Sequence, residues 1–579
     1  MSDDANAAPA PLRTDGLTVR YPGRKAPSLE GITLAVAAGE RVGVAGRTGA
    51  GKSTLALAAA GFIPRVVRAR LDGRVEVDGI GTAAAAPDAL LGRVGIVFAT
   101  PANQLSASKL TVREELAFGL ENLGIPRGEM DPRIDATLAR LGIAHLADRE
   151  PFALSGGEQQ RVAIASIVAM GTAVLVLDEP TAQLDPAGTA AVADLLGELA
   201  RDGAAILCAE HDPSVLGRMD RCIVLEGGRA IALGVPGRAL ALAAEVAGLT
   251  PPTLVRLAQA ASMDLASAFD EAAVAAGLRT WVDAGRPGST DGITGRPPSP
   301  GQAWTPGRER PPVRIAIDGV VHRYPGRVEA VCGVSLTIEP GEAVAILGQN
   351  GSGKTTLVKH LNGLLRPDEG RILLDGESTE GRPVAELART VGFVFQNPDD
   401  QLFERSVERE VAFGPRNLGI AAGDVAGRVA GSLAAVGLLD ERTTNPYDLD
   451  LSRRKLVALA GILAMDPAVL VLDEPTTGQD ADGVTRVGAI IEAFRGAGRS
   501  VVTITHDMEF AARHFGRIVV MRAGEVVADG SPERVFAPGD ATLLASTGLA
   551  LPPAARIAAR LGLDTAALDA ADLLAALGR

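Results

Sequence analysis

The chain has 579 residues, 47 % hydrophobic and 22 % charged, with a formal charge of −13. That is apolar surface for several cores, since single cores stop growing beyond about 250–300 residues, and it excludes a wholly disordered chain. The acidic balance argues against a general polyanion binder, which needs a basic field of its own.

Cys208, Cys222 and Cys332 form no CxxC pair and no metal-ligand spacing, which argues against disulfide frameworks, zinc fingers and iron–sulfur clusters. The opening MSDDANAAPAPLR is acidic and lacks an apolar run, unlike a signal peptide. No stretch of 18 or more apolar residues follows. The expectation is a soluble, cytoplasmic protein.

In chain order, residues 1–11 read as a flexible tail and 12–235 as a first domain. RVGVAG before Arg47 is a short apolar run that reads as a buried parallel strand, opening into G-x-x-x-x-G-K-[ST] from Gly46 to Ser53. Gly46, Gly49 and Gly51 let the backbone wrap the phosphates of a nucleotide, and the following helix N-terminus, with Thr54, adds a positive dipole. Lys52 reaches the phosphates and Ser53 ligates Mg²⁺. Further on, four apolar residues lead to Asp178–Glu179: a strand ending in Asp holds a carboxylate where it can serve the metal shell. The adjacent Glu is placed to orient or deprotonate water. His211 lies 33 residues beyond Asp178, at the end of the run AILCAEH, where it could sense a γ-phosphate. Residues 236–284 are alanine-rich and helical in pattern, and 285–312, rich in Gly and Pro, read as a flexible linker.

The series then recurs roughly 300 residues later. HRYPGR around Tyr324 repeats VRYPGR around Tyr21, and GQNGSGKTT repeats GRTGAGKST. The second phosphate loop comprises Gly348, Asn350, Gly351, Ser352, Gly353, Lys354, Thr355 and Thr356, with Thr355 on the metal. VLVLDEPT returns with Asp473–Glu474, and His506 again follows the Asp by 33 residues. A period this long means two whole domains, the second at 313–535 with a helical extension at 536–579. GLTPPTLVRLAQ (248–259) is echoed by GLALPPAARIAA (548–559), so each half is expected to carry a small helical extension.

These residues, with LSGGEQQR at 154–161, resemble the ATP-binding cassette (ABC) superfamily. The resemblance implies an α/β fold of two tandem P-loop NTPase domains. Each would have a mostly parallel core sheet, an antiparallel β subdomain, a helical signature subdomain and a small C-terminal helical extension. It implies that Tyr21 and Tyr324 stack on adenine and that each ATP is shared between one P-loop and the other domain's signature segment. In that segment Ser155, Gly156 and Gly157 cap a helix N-terminus facing the γ-phosphate.

The halves are not equivalent. VGFVFQNPDDQLF (391–403) faces VGIVFATPANQLS (94–106), so Gln396, which in the family contacts Mg²⁺ and the attacking water, is matched by Ala99. Without gaps, LSGGEQQR faces LDLSRRKL (449–456), and Asp450 replaces the serine. A slipped pairing would set Leu451–Ser452 on Leu154–Ser155. Either way the glycine pair is lost. The expectation is one hydrolytic site, using Lys354, Gln396, Glu474 and His506 with Ser155–Gly157, and one nucleotide-holding site, using Lys52, Glu179 and His211. The metal ligands in the two are Ser53 and Asp178, and Thr355, Gln396 and Asp473.

QNPDDQLFERSVEREVAFGPRNLGI (396–420) and TPANQLSASKLTVREELAFGLENLGI (100–125) are similar to the ATPases of energy-coupling-factor (ECF) importers, which take up vitamins and transition metals. The resemblance implies ATP and Mg²⁺ as cofactors, and a transmembrane coupling subunit and a substrate-binding membrane subunit as partners. It places the protein at the cytoplasmic face of the membrane, with no nucleic acid and no soluble small substrate other than ATP. Fused sugar-importer ATPases are one alternative. A ribosome-bound translation factor is another, but its linker should be helical and basic. Excision-repair ATPases need zinc cysteines absent here.

Overall fold

The computed structural model describes residues 10–24, 26–247, 249–285, 304–305, 310–325, 328–537, 539, 541–563 and 567–578. Most of the expected tail (1–11) and of the expected linker (285–312) lies outside the described residues. The chain divides into two compact units, 1–255 with 264–269, and 256–263 with 270–579.

In the first unit six strands form a sheet in the order Arg229–Gly234, Arg221–Glu226, Arg41–Gly46, Ala205–Ala209, Val174–Asp178, Val94–Val97. Only the outer hairpin, Arg221–Glu226 with Arg229–Gly234, is antiparallel. VLVLD and AILCA are buried at every residue because helices cover both faces of a parallel sheet, so their strands read as unbroken apolar runs. A second sheet, Leu29–Val36, Leu12–Arg20, Arg70–Val77 and Ile80–Gly81, is antiparallel throughout. Leu12, Leu17 and Val19 point into its core. A helical part, with Val112–Asn122, Arg127–Arg140 and Gly156–Met170, packs around Leu116, Leu120, Ile134, Leu138 and Ile164.

The second unit repeats the plan. Its six-stranded sheet runs Val391–Val394, Val469–Asp473, Ser500–Ile504, Ala343–Leu347, Arg517–Arg522, Glu525–Gly530, and its antiparallel sheet Val328–Ile338, Ile315–Tyr324, Glu369–Leu374, Glu377–Ser378. In both units the strand ending at the Asp–Glu pair is one strand removed from the strand feeding the P-loop. The intervening strand leads to His211 or His506. All three therefore meet at the carboxyl edge of the sheet, where open α/β sheets bind ligands.

The stretch 236–284 does not stay together as an extension of the first domain. Helix Pro236–Ala247 packs Ala239 and Ala243 on Val224 and Ala232 of the first unit. Helix Glu271–Asp283 belongs to the second unit, where Arg556 and Arg560 of helix Pro553–Leu561 pair with Glu271 at 2.7 and 3.3 Å. Opposite charge on two apolar helices decides this partner, and no single-strand pattern reveals it. Within the span read as linker, Trp304 is buried, stacked on Phe494 with ring centroids 4.4 Å apart. The Arg499 guanidinium lies 5.5 Å from the Trp304 ring. Among the described residues no helix is long and apolar enough to cross a membrane.

Candidate functional site

Each P-loop wraps tightly enough to need glycine. Gly51 sits at φ 107, where an added Cβ would lie 2.6 Å from the Ser28 carbonyl oxygen; its counterpart Gly353 sits at φ 97 against Ala330. Lys52 Nζ donates to the carbonyls of Gly46 and Arg47 at 3.1 and 3.3 Å. Lys354 does the same to Gly348 and Gln349 at 2.7 and 2.8 Å. Tyr21 and Tyr324 come to their own loops: each hydroxyl lies 3.3 Å from the hydroxyl of Thr54 or Thr356.

Ser53 Oγ donates to Asp178 Oδ1 at 3.1 Å, and Thr355 Oγ1 to Asp473 Oδ1 at 3.3 Å. Burial, then the neighbouring glutamate, pushes Asp178 and Asp473 each up to about 6. A loop hydroxyl beside a buried carboxylate forms an oxygen donor pair of the kind that suits Mg²⁺.

The glutamates take left-handed backbone, Glu179 at φ 50 and Glu474 at φ 51. His506 Nδ1 lies 2.8 Å from Glu474 Oε1, and His211 Nε2 3.0 Å from Glu179 Oε1. Burial pushes Glu474 up, but His506, Lys354 and Lys455 outweigh it and hold the carboxyl below its ordinary value. Burial pulls His506 down, and Glu474 more than offsets it. Among the described residues Glu474 Oε2 has no hydrogen-bond partner and is buried.

The signature segments open helices. Ser155 caps Gly156–Met170 in a capping box with Glu158. Asp450 caps Leu451–Met465, accepting from Arg453 N at 2.9 Å. Both helices have 15 residues, which selects the ungapped pairing of Asp450 with Ser155 over the slipped one. Asp is as good an N-cap as Ser, so the helix start survives while the charge changes.

The lost glycines are offset nearby. A Cβ on Gly156 would lie 2.5 Å from Gln183 Oε1, whereas Leu451 faces Gly478, whose added Cβ would stand 3.6 Å from Leu451 Cδ2. Ser452, in place of Gly157, bonds Gln479, in place of Leu184, at 2.7 Å.

Gln396 is exposed just beyond strand Val391–Val394, and Ala99 stands at the same place beyond Val94–Val97. Gln104 and Gln401, not singled out in the sequence, tie this loop to the signature helix: their Nε2 atoms donate to Ala163 O at 2.6 Å and Ala458 O at 3.1 Å. Sequence reasoning also missed two buried charges. Glu210 accepts from Thr181 at 2.7 Å and from His211 N at 2.8 Å, and burial, then Asp212, pushes it up to about 7. Lys455 is buried beside Glu474. Comparing the halves would have flagged both, since Thr505 faces Glu210 and Gln160 faces Lys455.

Fold and loops together give each unit the P-loop NTPase architecture. The family described as ABC transporter matches residues 29–182 and 331–477. The chain is 37 % identical to a "Putative ABC transporter ATP-binding protein" of Methanosarcina acetivorans, over 96 % of this chain and 90 % of that one. It is 35 % identical to proteins of the same description from Methanosarcina mazei (97 % and 95 % covered) and Caldanaerobacter subterraneus (90 % and 91 %). A solved structure of cbiO1 from Clostridium perfringens, part of the ABC transporter complex cbiONQ, is 33 % identical over 42 % of this chain and 97 % of its own, with a TM-score of 0.37. The chain belongs to the ABC transporter ATPase family. It is the ATP-binding subunit of an ABC transporter, with two ABC domains in one chain, and it hydrolyses ATP.

Proposed function

We propose that this chain is the energy-coupling ATPase of an ECF-type importer, driving uptake of a vitamin, a vitamin precursor or a transition-metal ion. Its partners are a transmembrane coupling subunit and a substrate-binding membrane subunit, at the cytoplasmic face. The observation that carries this reading is the segment following the Gln396 position, AFGPRNLGI, matched by AFGLENLGI in the first half. In the second unit its Phe413 is exposed, edge to face at 4.6 Å with exposed Phe403 of the preceding loop. In the first it exposes Phe118, with Lys109 Nζ 5.5 Å from the ring. Exposed aromatics on helices tied to the signature helix suit apolar coupling segments of a membrane subunit.

The two ATP sites divide the work. Lys354, Thr355, Gln396, Asp473, Glu474 and His506 make the second unit the hydrolytic one, with Glu474 as base toward water and Tyr324 under adenine. Lys52, Ser53, Asp178, Glu179 and His211 with Ala99 make the first mainly nucleotide-holding. Only one intact signature segment, Ser155–Gly157, stands in the sequence, which supports one complete site and one degenerate one. Mg²⁺ would be held by Ser53 and Asp178, and by Thr355, Gln396 and Asp473, neutralising phosphate charge.

The test is a mild-detergent pull-down of the tagged chain from its native cells. Small, very hydrophobic membrane subunits with a bound vitamin or metal support the reading. A sugar-transporting membrane pair, or ribosomes without membrane protein, would overturn it.

A further inference from the structure

Lys455 lies in the second turn of the helix Leu451–Met465 and is buried, with 7 % of its surface exposed. Its Nζ donates to the backbone carbonyl of Glu474 at 3.0 Å. A buried ammonium is costly and persists only where it has partners. Burial pulls Lys455 down to about 8, while Glu474 and Asp473 oppose that pull, so it still carries its charge at neutral pH.

Glu474 needs holding, since left-handed backbone at a residue other than glycine persists only when its surroundings over-determine it. Three bonds do so: its N–H donates to Ile504 O at 3.0 Å, His506 meets Oε1 at 2.8 Å, and Lys455 fixes the carbonyl. Glu179 has equivalents of the first two, from Ala209 at 2.9 Å and His211 at 3.0 Å. At the third position the first unit has Gln160, whose Nε2 donates to Phe98 O at 3.4 Å.

We propose that Lys455 is a positioning residue for Glu474, clamping its strained backbone to the signature helix of the same unit. This deepens the reading of Glu474 as the hydrolytic base and rests on it. The clamp also makes the helix that carries Asp450 a lever on the glutamate: a shift of this helix moves the carbonyl and, with it, the aim of Oε2. Gln401 ties the same helix, through Ala458, to the loop bearing Gln396, so both water-facing groups of the second unit hang on one element.

The experiment measures steady-state ATP hydrolysis by the purified full chain carrying Lys455→Met, Lys455→Gln, Lys455→Arg, Glu474→Gln, or Lys455→Met with Glu474→Gln. A small cavity lined by Phe395, Leu456, Leu472 and Pro475 adjoins the lysine stem and leaves room for methionine. The expected result for Lys455→Met is a kcat lower by about tenfold to a hundredfold, the cost of a misaimed group, with KM for ATP within about twofold. Lys455→Arg restores part of the loss, and the double variant is no slower than Glu474→Gln alone. Should Lys455→Met fail to fold, Lys455→Gln, which copies the first unit's residue, gives the same kcat comparison. Wild-type kcat in the folded Met or Gln variant would overturn the proposal, as would multiplying losses in the double. If Glu474→Gln keeps full turnover, the base reading itself falls. If it is silenced while Lys455→Met stays active, only the clamp falls.

Discussion

Placing leucine at Gly156 tests whether the altered second signature is a repacked element or a damaged one. The glycine has no Cβ, and one built there lies 2.5 Å from Gln183 Oε1, so the leucine must displace the Gln183 side chain. Gly156 is exposed and Gln183 Oε1 ends a flexible side chain, so the clash costs the low end of the overpacking range, about 1 kcal/mol. For a unit of this size about 1 kcal/mol lowers Tm by roughly 2–4 °C. The second unit meets the same demand by putting Gly478 at φ 69 opposite Leu451. Gly156→Leu combined with Gln183→Gly should therefore lose less Tm than the two single losses added together, Gln183→Gly alone costing about 0.5–1 kcal/mol for the added backbone freedom of glycine. ATP turnover should stay low in both variants, because the backbone approach that Gly156 allows is gone. Calorimetry on the full chain with Gly156→Leu, Gln183→Gly and the double reads the stability part, and phosphate release reads the other. If Gln183→Gly leaves the Gly156→Leu deficit untouched, the exchange of Gly156/Gln183 for Leu451/Gly478 is not a packing compensation.

Glu474→Gln should lower phosphate release on the order of 10²-fold, while Glu179→Gln lowers it less than about twofold; equal losses would refute the division between sites. Arg499, 2 % exposed, bonds Asp466 Oδ1 at 2.6 Å and Pro467 O at 2.9 Å, so Arg499→Met should destabilise the second unit toward the lower end of about 3–5 kcal/mol by removing the nearest partner of a buried carboxylate that Arg428 still faces at 4.0 Å, read as its unfolding transition in calorimetry. Burial holds His360 below its ordinary value, so the unfolded chain binds its proton first and stability is lost as pH falls from about 6.5 toward the lowered folded pKa. His360→Ala, the residue type at the matching position Ala58, should flatten the slope of Tm against pH in that window, and an unchanged slope would refute it.

The phosphate loops, the Asp–Glu pairs and the tyrosines were legible because their chemistry constrains contiguous residues. Only glycine fits at Gly51 and Gly353, and only a strand-ending acid reaches the loop hydroxyl. The asymmetry at Ala99 and Asp450 was legible by comparing the halves, but choosing the register needed the helix start, which the Asp450 cap supplies. What stayed hidden works through pairs distant in sequence. Gln183 matters to Gly156 only across a turn, Lys455 to Glu474 only across the sheet edge. Trp304, in a stretch whose composition reads as linker, finds Phe494 and Arg499 far along the chain. The division of 236–284 is of the same kind, since the partner of Glu271 lies at Arg556.

Buried charge gives an independent argument for which unit hydrolyses. Around Glu179 the first unit adds a further buried acid, Glu210, bonded to Thr181 and to the backbone of His211. The second unit has neutral Thr505 there, with Thr476 opposite at 3.5 Å, and places a buried ammonium, Lys455, beside its glutamate. Deprotonating a water in the presence of a γ-phosphate adds negative charge to a place already rich in it. An ionised acid nearby opposes that step and a nearby cation favours it, each unit charge a few ångströms away counting for a few kcal/mol at the effective dielectric of a protein; Glu210, raised to about 7, carries only about half a charge at neutral pH and opposes it correspondingly less. The difference between Glu210 and Lys455 thus acts in the same direction as the exchange of Gln396 for Ala99, through residues that touch neither loop. The two halves thus keep the same sheets, caps and loops while differing in the charge placed beside the glutamate.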